Sequence, residues 1–418
     1  MATLFGSFSQ ILTLAHLPFK GIIADTQLEV IEHGGILIEN GQIMQVGKFE
    51  MLAQEAIQKN YAIEEQTQNL VLMPGLVDCH THICYAGNRS VDYAMRVAGT
   101  PYLEIAKAGG GIKSTVRATR DATLEELTKL TLQRADRHLQ EGITTCEVKS
   151  GYGLSVADEL KILEAIRLAN QQTQADLIAT CLAAHICPPE FTDSKAYLEY
   201  ILVNLLPEIK RRNLSNRIDI FVEDTAFSEE NARYYLMEAK KIGFDTTIHA
   251  DQFGTSGSRL AVELNALSAD HLEHSGEAEI RLLADSATVA VVLPGASMGL
   301  GMQFAPARRL LDAGCCVAIS TDWNPGSAPM GDLWMQAAVL GASEKLTLAE
   351  TFAAITFRAA KALNLNDRGT LQVGKIADMI AFPCKDYREI LYYQGKMRPI
   401  RTWKSGALVG TAYQQHSE

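Results

Sequence analysis

The chain predicts an α/β architecture, a closed (β/α)8 TIM barrel with further β-structure at both chain ends. Three observations carry this: short apolar β-rich runs alternate with helical patterns from about Val71 to about Leu363, eight such runs can be counted, and no glycine-rich phosphate loop follows the first. Alternation of this kind buries a parallel sheet under crossover helices. Eight units in roughly 290 residues match the usual size of a closed barrel, whereas a doubly wound sheet wants fewer strands and a glycine fingerprint.

In chain order, Gly35 to Glu39 and Gln42 to Val46 flank Asn40-Gly41 and read as a hairpin closed by a type I′ turn. The barrel strands are expected at Leu72 to His82, Thr144 to Lys149, Leu177 to His185, Ile218 to Glu223, Thr246 to His249, Ala269 to His271, Val289 to Leu293 and Cys316 to Asp322. Helical periodicity is clearest over Leu124 to Glu141, Asp158 to Asn170 and Ser228 to Ile242. Gly109-Gly110-Gly111 follows no strand, which leaves a surface loop or an active-site lid. Past the barrel, Gly369 to Asp378 leads into the apolar run Met379 to Phe382, and both read as β-structure.

Composition bounds the function. With 418 residues, 47% hydrophobic and 21% charged, the chain has ample material for one large domain and a smaller one. A formal net charge of -11 argues against nucleic acid as a partner, because such binders concentrate Lys and Arg to displace counterions. The 8 cysteines form no Cys-x-x-Cys pair, which fits a reducing cytoplasm. Met1 to Pro18 lacks a basic leader and a cleavage site, so no secretory signal is expected, and no run is long enough to span a bilayer.

The strongest chemical signal is Asp78-Cys79-His80-Thr81-His82, two histidines closing an apolar strand. Residues two apart on a strand share a side, so His80 and His82 can chelate one ion at the C-terminal mouth of the barrel. His249, His271 and Asp322 close three further strands. Three N/O ligands with a water suit zinc, and a third His with a carboxylate also accepts iron. Asp322 could instead cap the helix that follows, and His271 is either catalytic or a core His bonded to a carboxylate such as Asp270. A metal at such a site lowers the pKa of water from about 15.7 to about 7, so hydrolysis is the natural chemistry. Asp322 and His271 are the candidates to accept and return the proton, and the metal or His185 could polarise the carbonyl.

These strand ends resemble the amidohydrolase superfamily, with a His-x-His pair after the first barrel strand and an Asp after the eighth. Glu147 to Gly153, Ala184-His185 with Pro188-Pro189-Glu190, Asp322 to Ser327, and Gly109 to Ile112 running into Ser114 to Arg117 are similar to segments of the imidazolonepropionase family within it. The resemblance covers essentially the whole chain. It implies hydrolysis of the cyclic amide 4-imidazolone-5-propanoate to N-formimidoyl-L-glutamate in histidine degradation, with one Zn2+ or Fe3+ per chain. It implies His80, His82, His249 and Asp322 as ligands, and Arg89, Tyr152, His185, Gln252, Asn324, Gly326 and Ser327 around the substrate. Arg89 also makes sense by itself, since a guanidinium pairs bidentately with a carboxylate. Tyr152, between two glycines, suits a ligand-facing tip or an ordinary turn.

Gln252 is included among the catalytic positions, but an amide cannot serve as a base, so proton transfer falls to His271 or Asp322. An aminohydrolase acting on a purine or pyrimidine would want an acid there. Binuclear relatives use a modified Lys to bridge two ions, and Lys149 lies on a different strand from theirs, which favours a single metal. The resemblance further implies that residues 1–70 and 365–418 join in a small β-sandwich beside the barrel of residues 71–364. A homodimer is the expected assembly on base rates for soluble enzymes.

Overall fold

The apolar run expected as the first barrel strand breaks at Pro74-Gly75 into two strands of different sheets. The computed structural model describes residues 2–100 and 102–411. From the N-terminus, β1 (Thr3–Leu12), β2 (Val30–Glu39), β3 (Gln42–Lys48), β4 (Ala62–Glu65) and β5 (Val71–Pro74) belong to an end sheet. The barrel strands are β6 (Leu76–Asp78), β7 (Ile143–Lys149), β8 (Asp176–Ala184), β9 (Arg217–Ile220), β10 (Asp245–Ala250), β11 (Ser268–His271), β12 (Val289–Val292) and β13 (Val317–Ile319). The chain then returns to the end sheet with β14 (Met379–Phe382), β15 (Arg401–Lys404) and β16 (Ala407–Thr411).

The eight strands of the barrel run in sequence order, each parallel to the next. Closure comes from the segments beyond β6 and β13. Asp322 N–H donates to His80 O at 3.0 Å and His82 N–H to Trp323 O at 2.9 Å, with Thr81 bridging Trp323 in parallel register. The periodic helices appear at Leu124–Gln140, Val156–Asn170 and Glu229–Lys241. Each begins at a hydroxyl N-cap, Thr123, Ser155 and Ser228, that accepts from a backbone N–H of the first turn.

In the end sheet the order is β16-β15-β14-β5-β1-β2-β3, with β4 also paired to β1. Three strand spacings of about 4.8 Å separate β15 from β1 in a flat sheet. Yet the Trp403 ring on β15 lies 6.2 Å from that of Phe5 and 6.4 Å from that of Phe8 on β1. The sheet therefore curls, and one continuous sheet supplies both faces of the core around Ile11, Ile36, Leu72 and Met379. The expected hairpin is present, and Asn40 and Gly41 have φ 50° and 78°, the paired positive values of a type I′ turn. Gly369 to Asp378, expected as β-structure, is turns with a single bridge from Ile376 to Gln42. Residues 412–418 of the expected end unit lie outside the described residues.

Candidate metal centre and active site

At the C-terminal ends of β6, β10, β11 and β13 four imidazoles and a carboxylate converge, all buried. His80 and His82 ride on the extension of β6, and Asp78 fixes that extension. Its carboxylate accepts from Thr321 N–H at 3.0 Å, Thr321 Oγ1 at 2.6 Å and the Ser320 hydroxyl, so the His pair and Asp322 move as one piece. His271 and Leu272 have φ 91° and 72°, an uncommon left-handed pair that ends β11 with the His271 ring on the cavity wall.

Each ring's far nitrogen is oriented by a carboxylate. His80 Nδ1 lies 2.7 Å from Asp270 Oδ2, and His249 Nδ1 lies 2.8 Å from Asp219 Oδ2. Carboxylates draw the ring proton to Nδ1, which leaves both Nε2 atoms as lone-pair donors. His82 Nε2 lies 3.3 Å from His80 Nε2 and 3.4 Å from His249 Nε2, while Asp322 Oδ1 lies 3.5 Å and 3.4 Å from His80 and His82 Nε2. A tetrahedral ion with bonds of about 2.0–2.1 Å spaces its ligands about 3.3–3.4 Å apart. The donors present fit a metal ion.

Electrostatics agree with that fit. Burial, with the Lys149 charge behind it, brings His82 down to about 3, and burial against the opposing charge of Asp219 brings His249 to about 4. His80 is likewise held well below its ordinary value by burial and Lys149. These rings are neutral at ordinary pH, the state in which an imidazole can donate to a metal. Burial raises Asp270 to about 7 against the lowering pull of Lys149, and raises Asp322 above the ordinary carboxylate range. Burial would lower His271, but Glu273, 3.6 Å from its Nδ1, and Asp322 outweigh this and raise it. Asp270 therefore serves His80, not the neighbouring His271.

Above the histidines opens a cavity of about 340 Å³, small among ligand pockets. His82, Arg89, Tyr152, His185, His249, Gln252, His271, Asp322, Asn324, Gly326 and Ser327 all line it, and His80 lies in contact beneath. His185 stacks on His82 at 5.5 Å and 24°, and its Nδ1 lies 3.1 Å from Gly151 O. Asn324 Oδ1 accepts from the N–H groups of Gly326 at 2.7 Å and Ser327 at 2.8 Å, which fixes this loop.

Sequence reasoning missed the support of Arg89. Its Nε donates to Asp92 Oδ2 at 2.8 Å, the oxygen that also accepts from Gly111 N–H at 2.8 Å. A Cβ on Gly110 would meet Asp92 Oδ1. The glycine triplet is thus tied to the cavity rim rather than detached from it. Arg96 also lines the cavity, its guanidinium 3.4 Å from Gly326 O. Asp92 and Arg96 lie at i and i+4 on the helix Ser90–Val97 that starts just after Arg89, a spacing that could have marked them as one face.

Fold and site together define a metal-dependent hydrolase, and the chain belongs to the amidohydrolase family, whose profile matches residues 71–409. Within that family it stands with the imidazolonepropionases. It is 40% identical to the imidazolonepropionase of Fusobacterium nucleatum over 91% of this chain and 93% of that one. It is 38% identical to that of Bdellovibrio bacteriovorus over 95% and 94%. The same fold occurs in an adenosine deaminase from Xanthomonas campestris with bound zinc, at 19% identity and TM-score 0.69, covering 97% of this chain and 92% of that one. Atrazine chlorohydrolase from Arthrobacter aurescens, complexed with zinc, gives 16% identity and TM-score 0.71 over 98% and 95%.

Proposed function

We propose that the chain hydrolyses 4-imidazolone-5-propanoate to N-formimidoyl-L-glutamate in histidine degradation, with one metal ion held by His80, His82, His249 and Asp322. The observation that carries this reading is that His82 Nε2 lies 3.3–3.4 Å from a donor atom of each of His80, His249 and Asp322, on the floor of a small cavity whose rim holds the Arg89 guanidinium. The imidazolonepropionase relatives, about 40% identical over nine-tenths of the chain, support the choice of substrate.

A divalent ion bound there supplies Lewis acidity, bringing the pKa of a coordinated water from about 15.7 to about 7. Three imidazole nitrogens and one carboxylate are a donor set that accepts either Zn2+ or Fe3+. Lys149 pairs with Glu147 and Asp219, which leaves it no role as a bridge between two ions.

The chain's own residues do the rest. Arg89, pinned through Nε, keeps its terminal nitrogens for the propionate carboxylate, with Asn324, Gly326 and Ser327 beside it. His185 and Tyr152 flank the ring, and Gln252 offers an amide that orients but does not take protons. Water adds across the amide bond, its oxygen to the carbonyl carbon and a proton to the departing nitrogen. Asp322 receives the water's proton, and His271, whose pKa Glu273 raises, hands a proton to the nitrogen and is recharged with the one Asp322 took up.

Eight free cysteines support a cytoplasmic location, and among the described residues no helix is long and apolar enough to cross a membrane. The test is to incubate zinc-loaded protein with imidazolone propionate. Consumption with formation of N-formimidoyl-glutamate and no ammonia supports the proposal. Inertness, or release of ammonia, overturns it.

A further inference from the structure

Beneath the metal-binding rings lies a buried ammonium that the proposed chemistry leaves without a part. Lys149 is fully buried on β7, and its Nζ lies 2.8 Å from Glu147 Oε2, 2.8 Å from Asp219 Oδ2 and 3.8 Å from Asp270 Oδ2. Those two oxygens of Asp219 and Asp270 are the ones that face His249 Nδ1 and His80 Nδ1. One cation on the second barrel strand thus reaches across the interior to the fourth and sixth, the alternate-strand layering of such barrels.

We infer that Lys149 is a positioning residue of the metal centre, because a single ammonium pairs with Asp219 at 2.8 Å and faces Asp270 at 3.8 Å, the two carboxylates that aim the lone pairs of His249 and His80. Without it, Asp219 and Asp270 would face the same interior with no shared counter-charge between them. Each would turn toward other donors. Asp270 has Thr247 Oγ1 at 3.3 Å, and Asp219 has the N–H groups of Ile220 at 2.7 Å and His249 at 3.2 Å. Glu147 completes the arrangement from the far side, held by Thr180 Oγ1 at 2.5 Å and Arg217 at 3.9 Å. The ammonium thus sits among carboxylates from three barrel strands.

The inference rests on the metal reading above, and the experiment separates the two. Zinc dissociation is measured by chelator competition on the parent chain, on Lys149→Met, and on Lys149→Met/Glu147→Gln. The double variant removes the ammonium together with one of its two nearest negative charges, the one that touches no imidazole, to keep the chain folded where the single variant fails. Outer partners of metal ligands commonly control affinity by about 10–100-fold, and a loss of that size is expected in either variant. The rise in Tm on adding zinc should shrink in step, and the visible absorption of the cobalt-loaded protein should change. A purely structural ion cluster would lower Tm equally with and without zinc. Zinc binding within about threefold of the parent, with an unchanged cobalt spectrum, overturns the inference while leaving the metal centre standing. A parent chain that binds no zinc overturns both.

Discussion

Asp270 Oδ2 lies 2.7 Å from His80 Nδ1, and that contact decides which nitrogen of the ring carries the proton. With Nδ1–H committed to the carboxylate, Nε2 is left as a bare donor 3.3 Å from His82 Nε2. Two buried ring nitrogens that close are best explained by a cation between them. Replacing Asp270 with Asn weakens the acceptor without changing its size. Asp270→Asn should bind zinc about 10–100-fold more weakly, checked by chelator competition. Unchanged affinity would show that the ring is oriented by packing alone.

Burial keeps His82 near 3 and His249 near 4, well below the ordinary imidazole value. Between about pH 6.5 and pH 4 the unfolded chain therefore binds protons that the folded, metal-free chain does not. Each ring then lowers stability as pH falls, by up to about 1.4 kcal/mol per pH unit, and the loss begins near the unfolded pKa. Titration of histidine NMR signals in the metal-free protein should show both rings neutral at pH 5. A midpoint above about 6 for either ring would contradict the burial argument.

A side chain at Gly326 would place its Cβ 2.2 Å from Arg89 Nη1 and 3.2 Å from Asn324 Oδ1. The first atom ends a flexible side chain, so the fold can yield there, but only by moving the guanidinium off the cavity rim. Gly326→Ala should raise KM for imidazolone propionate at least about tenfold, with Tm nearly unchanged, since one charge-assisted pair contributes about 1.5–3 kcal/mol. Steady-state kinetics beside thermal unfolding decide it. A fall in kcat alone would place Arg89 in the chemical step instead.

Asp78 joins the first and eighth barrel strands through Ser320 and Thr321, and His138 Nε2 lies 3.1 Å from its Oδ2. Removing the carboxylate leaves several buried donors without an acceptor, at about 1–3 kcal/mol each. Asp78→Ala should lower the unfolding free energy by about 3–5 kcal/mol and weaken zinc binding as well, because His80 and Asp322 lose their common anchor. Denaturant unfolding with and without zinc measures both effects.

The barrel was legible because each strand is a short buried run between helices whose apolar residues repeat every three to four positions. His80, His82, His249 and Asp322 stood out as polar groups at the ends of such runs. The break at Pro74-Gly75 was not legible, since the residues on both sides are apolar. It depends on Gly75 packing against Thr144, where a Cβ would come within 2.6 Å of Oγ1. Asp219 lay hidden inside Arg217-Ile218-Asp219-Ile220, where period-two alternation does not say which face is interior. Asp92 and Arg96 are four residues apart, the spacing of one helix face, but that spacing does not say what the face covers. Only the fold places them over the cavity.

The most direct test is to titrate metal-free protein with zinc while recording bound metal and the rate of imidazolone propionate ring opening on the same samples. The rate should rise in proportion to bound zinc and reach its plateau at one equivalent per chain. Full activity in metal-free protein, or a rise that continues to a second equivalent, would contradict a single ion held by His80, His82, His249 and Asp322.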